Sequence, residues 1–201
     1  VADPDNTVVS PISRLACDVE RFRDDSMEPM AKRGMGLMYT RTVFGRKLRE
    51  YDAALREDVL NAYYDPHHAR LTERVDTALA ACGRCTILDG HSFNSRIPFK
   101  VDCILSMPDF CIGTDAYHTP PALRDALVER VRALGYSARV NSPFSGSITP
   151  MKHYGRDKRV FSVMIEVNRR LYMNERDMTK SEGFERTKAI CAELMRTAAE
   201  F

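Results

Sequence analysis

Residues 86–95 read TILDGHSFNS, a short aliphatic run that stops at Asp89, Gly90, His91 and Ser92. An imidazole delivered by such a run serves as a metal ligand, a general base, or a buried donor tying down a loop. A second reactive group lies in residues 161–167, FSVMIEV, where Glu166 interrupts the most continuous apolar run of the chain. A carboxylate in that setting is paired, protonated or functional, because a lone buried charge is too costly. A third cluster, Asp18, Glu20 and Arg21, closes residues 13–22, SRLACDVERF. If these three strand ends are neighbours, a base, a potential metal ligand and a carboxylate-binding Arg share one rim. That is a kit for metal-assisted hydrolysis: an ion to polarise a carbonyl and acidify water, a Glu to move protons, and an Arg for an anionic substrate. Nucleophile-elbow and phosphate-loop patterns are absent, which argues against Ser or P-loop chemistry.

The elements that must position these groups follow from hydrophobic spacing. Leu15, Ala16, Cys17 and Val19 predict a strand, and residues 23–42 a long loop rich in Met, Gly and charge. Leu48, Tyr51, Leu55, Val59 and Tyr63 recur at helical spacing and predict an amphipathic helix over 44–63. Asp65 followed by Pro66 reads as a helix start. The helix it opens carries Leu71, Val75, Ala78 and Leu79 on one face and stops at Gly83. His67 and His68 fall in its first turn, as a helix-start network or a metal site, with one ring able to point into a cleft. Short strands are predicted over 108–113, 137–140 and 161–167. Helices are predicted from Pro120–Pro121 to Gly135, with Leu123, Leu127, Val131 and Leu134 inward, and over 183–199, with Phe184, Thr187, Ile190, Cys191, Leu194 and Met195 inward. Asn168 and Arg169 either face the site or cap the strand end, His118 and His153 are expected at the surface, and Asn141 with the turn after it is a candidate cleft wall. Alternation of strands and helices predicts a single-domain, three-layer α/β sandwich, its sheet mixed and largely parallel with helices on both faces.

Composition excludes several classes. The 201 residues fit one domain, and 30 Lys and Arg against 28 Asp and Glu leave no electrostatic case for nucleic acid or a membrane surface. The basic cluster Arg156, Lys158, Arg159 reads as a solvated turn. No apolar run approaches the roughly 20 residues that span a bilayer, and no signal peptide opens the chain, so a soluble cytoplasmic protein is expected. Cys17, Cys82, Cys85, Cys103, Cys111 and Cys191 sit mostly in apolar runs, as small buried residues of a reducing compartment do. Cys82 and Cys85 form a CxxC without a second pair at zinc spacing.

Taken in order, SRLACDVERF, YYDPHH, LDGHSF, PDFCIGTD and MIEVNRRLYM resemble the N-formylglutamate amidohydrolase family, from residue 13 to the last helix. The resemblance implies a zinc-exopeptidase-like (phosphorylase/hydrolase-like) fold related to zinc carboxypeptidases and aspartoacylase. It also implies hydrolysis of an anionic N-formyl or other N-acyl amino acid by a zinc-activated water. It makes His91 the last of three zinc ligands and Glu166 the general base. Arg21 would hold a substrate carboxylate, with Arg14 a further candidate for the same task; from their positions alone, Arg169 and Asn168 are candidate substrate contacts and Asp89, Ser92 and His68 candidate supports of the site. Glu20 stands where the family commonly has Asn, and an acid there would either repel an anion or pair with Arg21. The first two zinc ligands belong before residue 13, and residues 1–12 contain no His, so the expectation is that residues 1–201 form one amidohydrolase-like domain whose N-terminal portion precedes Val1. A peptide or cell-wall amide substrate, and a non-catalytic binding protein with a degenerate metal site, remain open alternatives.

Overall fold

The computed structural model describes residues 6–96 and 107–201, and Cys103 lies outside them. The chain divides into two compact units, Ala2–Thr77 and Ala78–Phe201.

The first unit is built from turns and helix. Helix α1, Ala53–Val59, starts where the Asp52 carboxylate accepts the Ala54 and Leu55 N–H groups, at 2.9 and 3.0 Å. Such a cap satisfies two of the helix's orphan donors. The helix expected from residue 44 therefore begins nine residues later, because Gly45 adopts φ +78° and Arg41 bridges Lys47 in an antiparallel turn. Its buried stripe also differs: Leu48, Tyr51, Leu55 and Tyr63 are exposed, while Val59, Leu60 and Tyr64 pack with Cys17, Val19, Leu37 and Met38. A π-helical turn, Leu60–Tyr64, carries the chain into α2, Asp65–Cys82. Asp65 is itself helical, φ −63° and ψ −41°, and its N–H reaches Leu60 O. Pro66 has no N–H to give and crowds the turn before it, which the wider turn relieves. Asp65 and Pro66 thus mark a widened turn in a continuing helical run rather than a fresh start.

Residues 13–22 form turns, not the expected strand. Ala16 and Cys17 N–H groups both reach Ser13 O, and Asp18 N–H reaches Leu37 O at 2.8 Å.

The second unit is a four-stranded mixed sheet in the order β1-β4-β2-β3, with strands Cys85–Phe93, Phe110–Thr114, Ala138–Val140 and Val160–Asn168 numbered along the chain. β1 pairs parallel with β4, β4 antiparallel with β2, and β2 parallel with β3. Helix α3, Pro121–Ala133, makes the crossover that a parallel β2–β3 pair requires. Helix α4, Phe184–Ala199, packs on α3. Gly83 stops α2 at φ +72°, a conformation only glycine adopts freely.

Strand alternation sorts this sheet into two faces. Phe110, Ile112, Val163, Ile165 and Val167 face α3 and α4, meeting Leu123, Leu127, Val131, Ile190 and Leu194. Burying each of those large side chains stabilises the fold by roughly 1.5–3 kcal/mol. The residues between them point the other way, where Asp89 and His91 on β1 and Ser162 and Glu166 on β4 stand among the buried Ile87, Phe93, Cys111 and Met164.

Candidate functional site

β1 runs through to Phe93, so Asp89 and His91 stand on the strand itself, two residues apart on one face, rather than beyond its end. His91 Nε2 lies 2.7 Å from Asp89 Oδ1, and Asp89 is buried. The register sets His91 beside Glu166 of β4, and Cys111 of β2 on the far side of Glu166. Paired residues share a face, so imidazole and carboxylate emerge together. Glu166 is only 7% exposed. The other Asp89 oxygen accepts the Ile148 N–H at 3.1 Å, which orients the carboxylate toward His91.

The strand ends are clamped. Arg169 donates to Ser92 Oγ at 3.1 Å and to Asn94 Oδ1 at 2.6 Å, and Ser95 N–H donates to Glu175 at 2.7 Å. Ser92 is thus bonded to Arg169 and faces away from Asp89 and His91. Asn168 is fully buried; its amide donates to Pro108 O, and its oxygen accepts the Arg170 N–H. Both residues hold the ends of β1 and β4 in place.

In the first unit the charged residues converge on Asp18, which is 1% exposed. Arg14 Nε donates to it at 3.2 Å, Tyr39 donates its hydroxyl at 2.8 Å, and Arg21 Nε stands 3.3 Å away. Arg21 also lies 3.8 Å from Glu28, a buried carboxylate. Glu20 contributes its backbone N–H to Asp18. The guanidiniums of Arg14 and Arg21 are therefore engaged by an internal carboxylate. Burial, and then the Asp18 charge, push the Tyr39 phenol up.

His67 and His68 belong to the same unit. His68 Nε2 lies 2.9 Å from Val19 O, and its ring centroid is 4.2 Å from that of Tyr64. His67 is buried with no hydrogen-bond partner for Nδ1 among the described residues. Burial, then the neighbouring His68 and Arg70, lower its pKa to about 4.

His118 and His153, expected at the surface, are both buried. His118 Nε2 accepts the Gly155 N–H at 2.8 Å and its Nδ1 meets Val160 O at 2.8 Å, so the ring joins segments 37 and 42 residues away. Partners so distant leave no local trace in the sequence. Ser162, missed as well, had a visible signal: a hydroxyl inside an apolar strand requires a buried partner.

An imidazole–carboxylate pair beside a buried Glu, on one face of a mixed α/β sheet, defines a class of protein equipped for acid–base chemistry at a polar sheet face. The family model for N-formylglutamate amidohydrolase matches residues 2–173, and the chain belongs to that family of amidohydrolase enzymes. Among solved structures, the N-formylglutamate amidohydrolase from Ralstonia eutropha JMP134 is 26% identical, with a TM-score of 0.75 over 93% of this chain and 74% of its own. A gene product from Agrobacterium tumefaciens, 21% identical, shares the fold with a TM-score of 0.66 over 94% of this chain and 68% of its own. No curated protein matches the sequence. No helix among the described residues is long and apolar enough to cross a membrane.

Proposed function

We propose that this protein hydrolyses the amide bond of an anionic N-formyl or other N-acyl amino acid of the N-formylglutamate type. The observation that carries this reading is the register match of His91 with Glu166 on one sheet face, in a chain that belongs to the N-formylglutamate amidohydrolase family.

Glu166 is the general base. Its carboxylate takes a proton from the attacking water as the oxygen bonds to the formyl carbon, and returns it to the amide nitrogen as the C–N bond breaks. The products are formate and the free amino acid. A carboxylate held beside the reacting water contributes typically 10²–10⁴-fold. Asp89 fixes the His91 imidazole in orientation and tautomer.

Metal-ligating histidines bond their second ring nitrogen to a carboxylate, and the Asp89–His91 pair fits zinc on that chemistry. His91 would be the imidazole ligand, and Asp89 the group that orients it. A zinc ion there would polarise the substrate carbonyl and make water a stronger nucleophile at neutral pH. On the same grounds we take the fold as zinc-exopeptidase-like.

The test is formate release from N-formyl-L-glutamate by the purified protein, measured beside N-acetyl-L-glutamate and short formylated and unformylated peptides. Preference for the N-formyl amino acid supports the reading; cleavage of peptides alone moves the activity to a peptidase or cell-wall amidase.

A further inference from the structure

Residues 141–149 lie as a strap over the polar face of the sheet and are fastened to three strands in turn. At β2, Asn141, in a left-handed conformation with φ 54°, accepts the Thr114 N–H at 2.9 Å and donates to Thr114 Oγ1 at 2.8 Å. The Cys111 thiol donates to Phe144 O at 3.2 Å, and the Phe144 ring meets Phe93 edge-on, centroids 5.8 Å apart. At Gly113 the strap comes so close that an added Cβ would sit 2.5 Å from Gly146 O. At β4, Ser162 donates to Ile148 O at 2.6 Å, and its oxygen is shared with the Ser147 hydroxyl. At β1, Ile148 N–H donates to Asp89 Oδ2.

Ile148 is therefore held at both its backbone groups by side chains of adjacent strands, its carbonyl by Ser162 and its N–H by Asp89. Asp89 uses its remaining oxygen on His91 Nε2. An unbroken line of hydrogen bonds leads from Ser162, which is fully buried, through Ile148 and Asp89 to the imidazole. Each bond fixes the direction of the next, since a carboxylate whose two oxygens are both engaged has no rotation left.

We propose that Ser162 is a positioning residue: through Ile148 and Asp89 it sets the orientation of the His91 imidazole for amide hydrolysis. This rests on the hydrolase reading above. Ser162 touches neither substrate nor the reacting water; it acts by keeping the Ile148 N–H aimed at Asp89. A carboxylate bonded directly to a ligating imidazole is typically worth 10–100-fold, and Ser162, one link further out through Ile148, belongs at the low end of that range.

The experiment compares the full chain with S162A, S162T and S147A, using N-formylglutamate kinetics and the ¹⁵N resonances of the His91 ring at one pH. S162A is expected to lower kcat about tenfold, leave KM within about twofold, and move the His91 resonances. S162T, which restores a hydroxyl, should recover both, and S147A, which spares the Ser162–Ile148 bond, should change neither. S162C, with a weak thiol donor, replaces S162A if the alanine variant does not fold, and should fall between S162A and the parent. Unmoved His91 resonances, or a change confined to KM or to thermal stability, overturns the proposal. If the parent protein hydrolyses no N-formyl amino acid, the functional reading fails, and the His91 resonances alone then decide whether Ser162 positions the ring.

Discussion

His91 of β1 and Glu166 of β4 are register partners in a parallel strand pair, so their side chains leave the sheet on the same face. A slip of one residue in either strand would send one of them to the helical side, into the packing of Val163, Ile165 and Leu194. That apolar packing enforces the register, and the register places the reactive pair. The hydrophobic core on one face of the sheet thus fixes the imidazole beside the carboxylate on the other.

The His91–Asp89 pair predicts metal dependence of a specific form. Treatment with a chelator should abolish formate release and added zinc should restore it. Asp89→Ala should weaken zinc binding about 10–100-fold by removing the group that orients the ring, and His91→Ala should weaken it further. Competition against a chromogenic zinc chelator measures both; zinc affinity unchanged in His91→Ala would remove that residue from the ligand set.

Asp18 gathers Arg14, Arg21 and the Tyr39 hydroxyl around one buried carboxylate. Removing one partner of such a network strands the others, at a cost of about 3–5 kcal/mol for a fully buried pair. Arg14 is half exposed, so the lower end applies: Asp18→Ala should cost about 3 kcal/mol in urea denaturation, and Asp18→Asn, whose one amide oxygen can still accept from Tyr39 and Arg14 Nε, less.

His67 makes stability depend on pH. Its native pKa of about 4 lies below the ordinary histidine value of 6.5, so the unfolded chain binds the proton more readily between those limits. Its contribution is present above pH 6.5 and is lost as the pH falls toward 4, by on the order of 1–3 kcal/mol. His68, also lowered by burial, acts in the same direction. His67→Leu should flatten urea midpoints compared between pH 7.5 and 5; an unchanged slope would contradict the assignment.

The strands and helices of the second unit were legible because each carries its own period. FSVMIEV is β4, the inward Leu123, Leu127 and Val131 are α3, and TILDGHSF is β1. His91 and Glu166 stood out as polar interruptions of those runs. What spacing does not encode is which strands become neighbours: β4 enters between β1 and β2 although 66 residues of chain separate Phe93 from Val160. The first unit was less legible because local polar bonds override its apolar pattern. Asp18 captures nearby N–H and guanidinium groups where Leu15, Ala16 and Cys17 suggested a strand, and the Asp52 cap starts α1 in the middle of the expected helix. The periodicity of Leu48, Tyr51, Leu55 and Tyr63 is real, but those side chains face outward while Val59, Leu60 and Tyr64 form the core.

In the proposed hydrolysis Glu166 moves the proton. Glu166→Gln keeps the shape of the side chain and removes its basicity, so kcat for N-formylglutamate should fall by about 10²–10⁴, with folding, zinc content and KM little changed. Turnover equal to that of the parent protein, in a folded and zinc-loaded Glu166→Gln variant, would contradict the account.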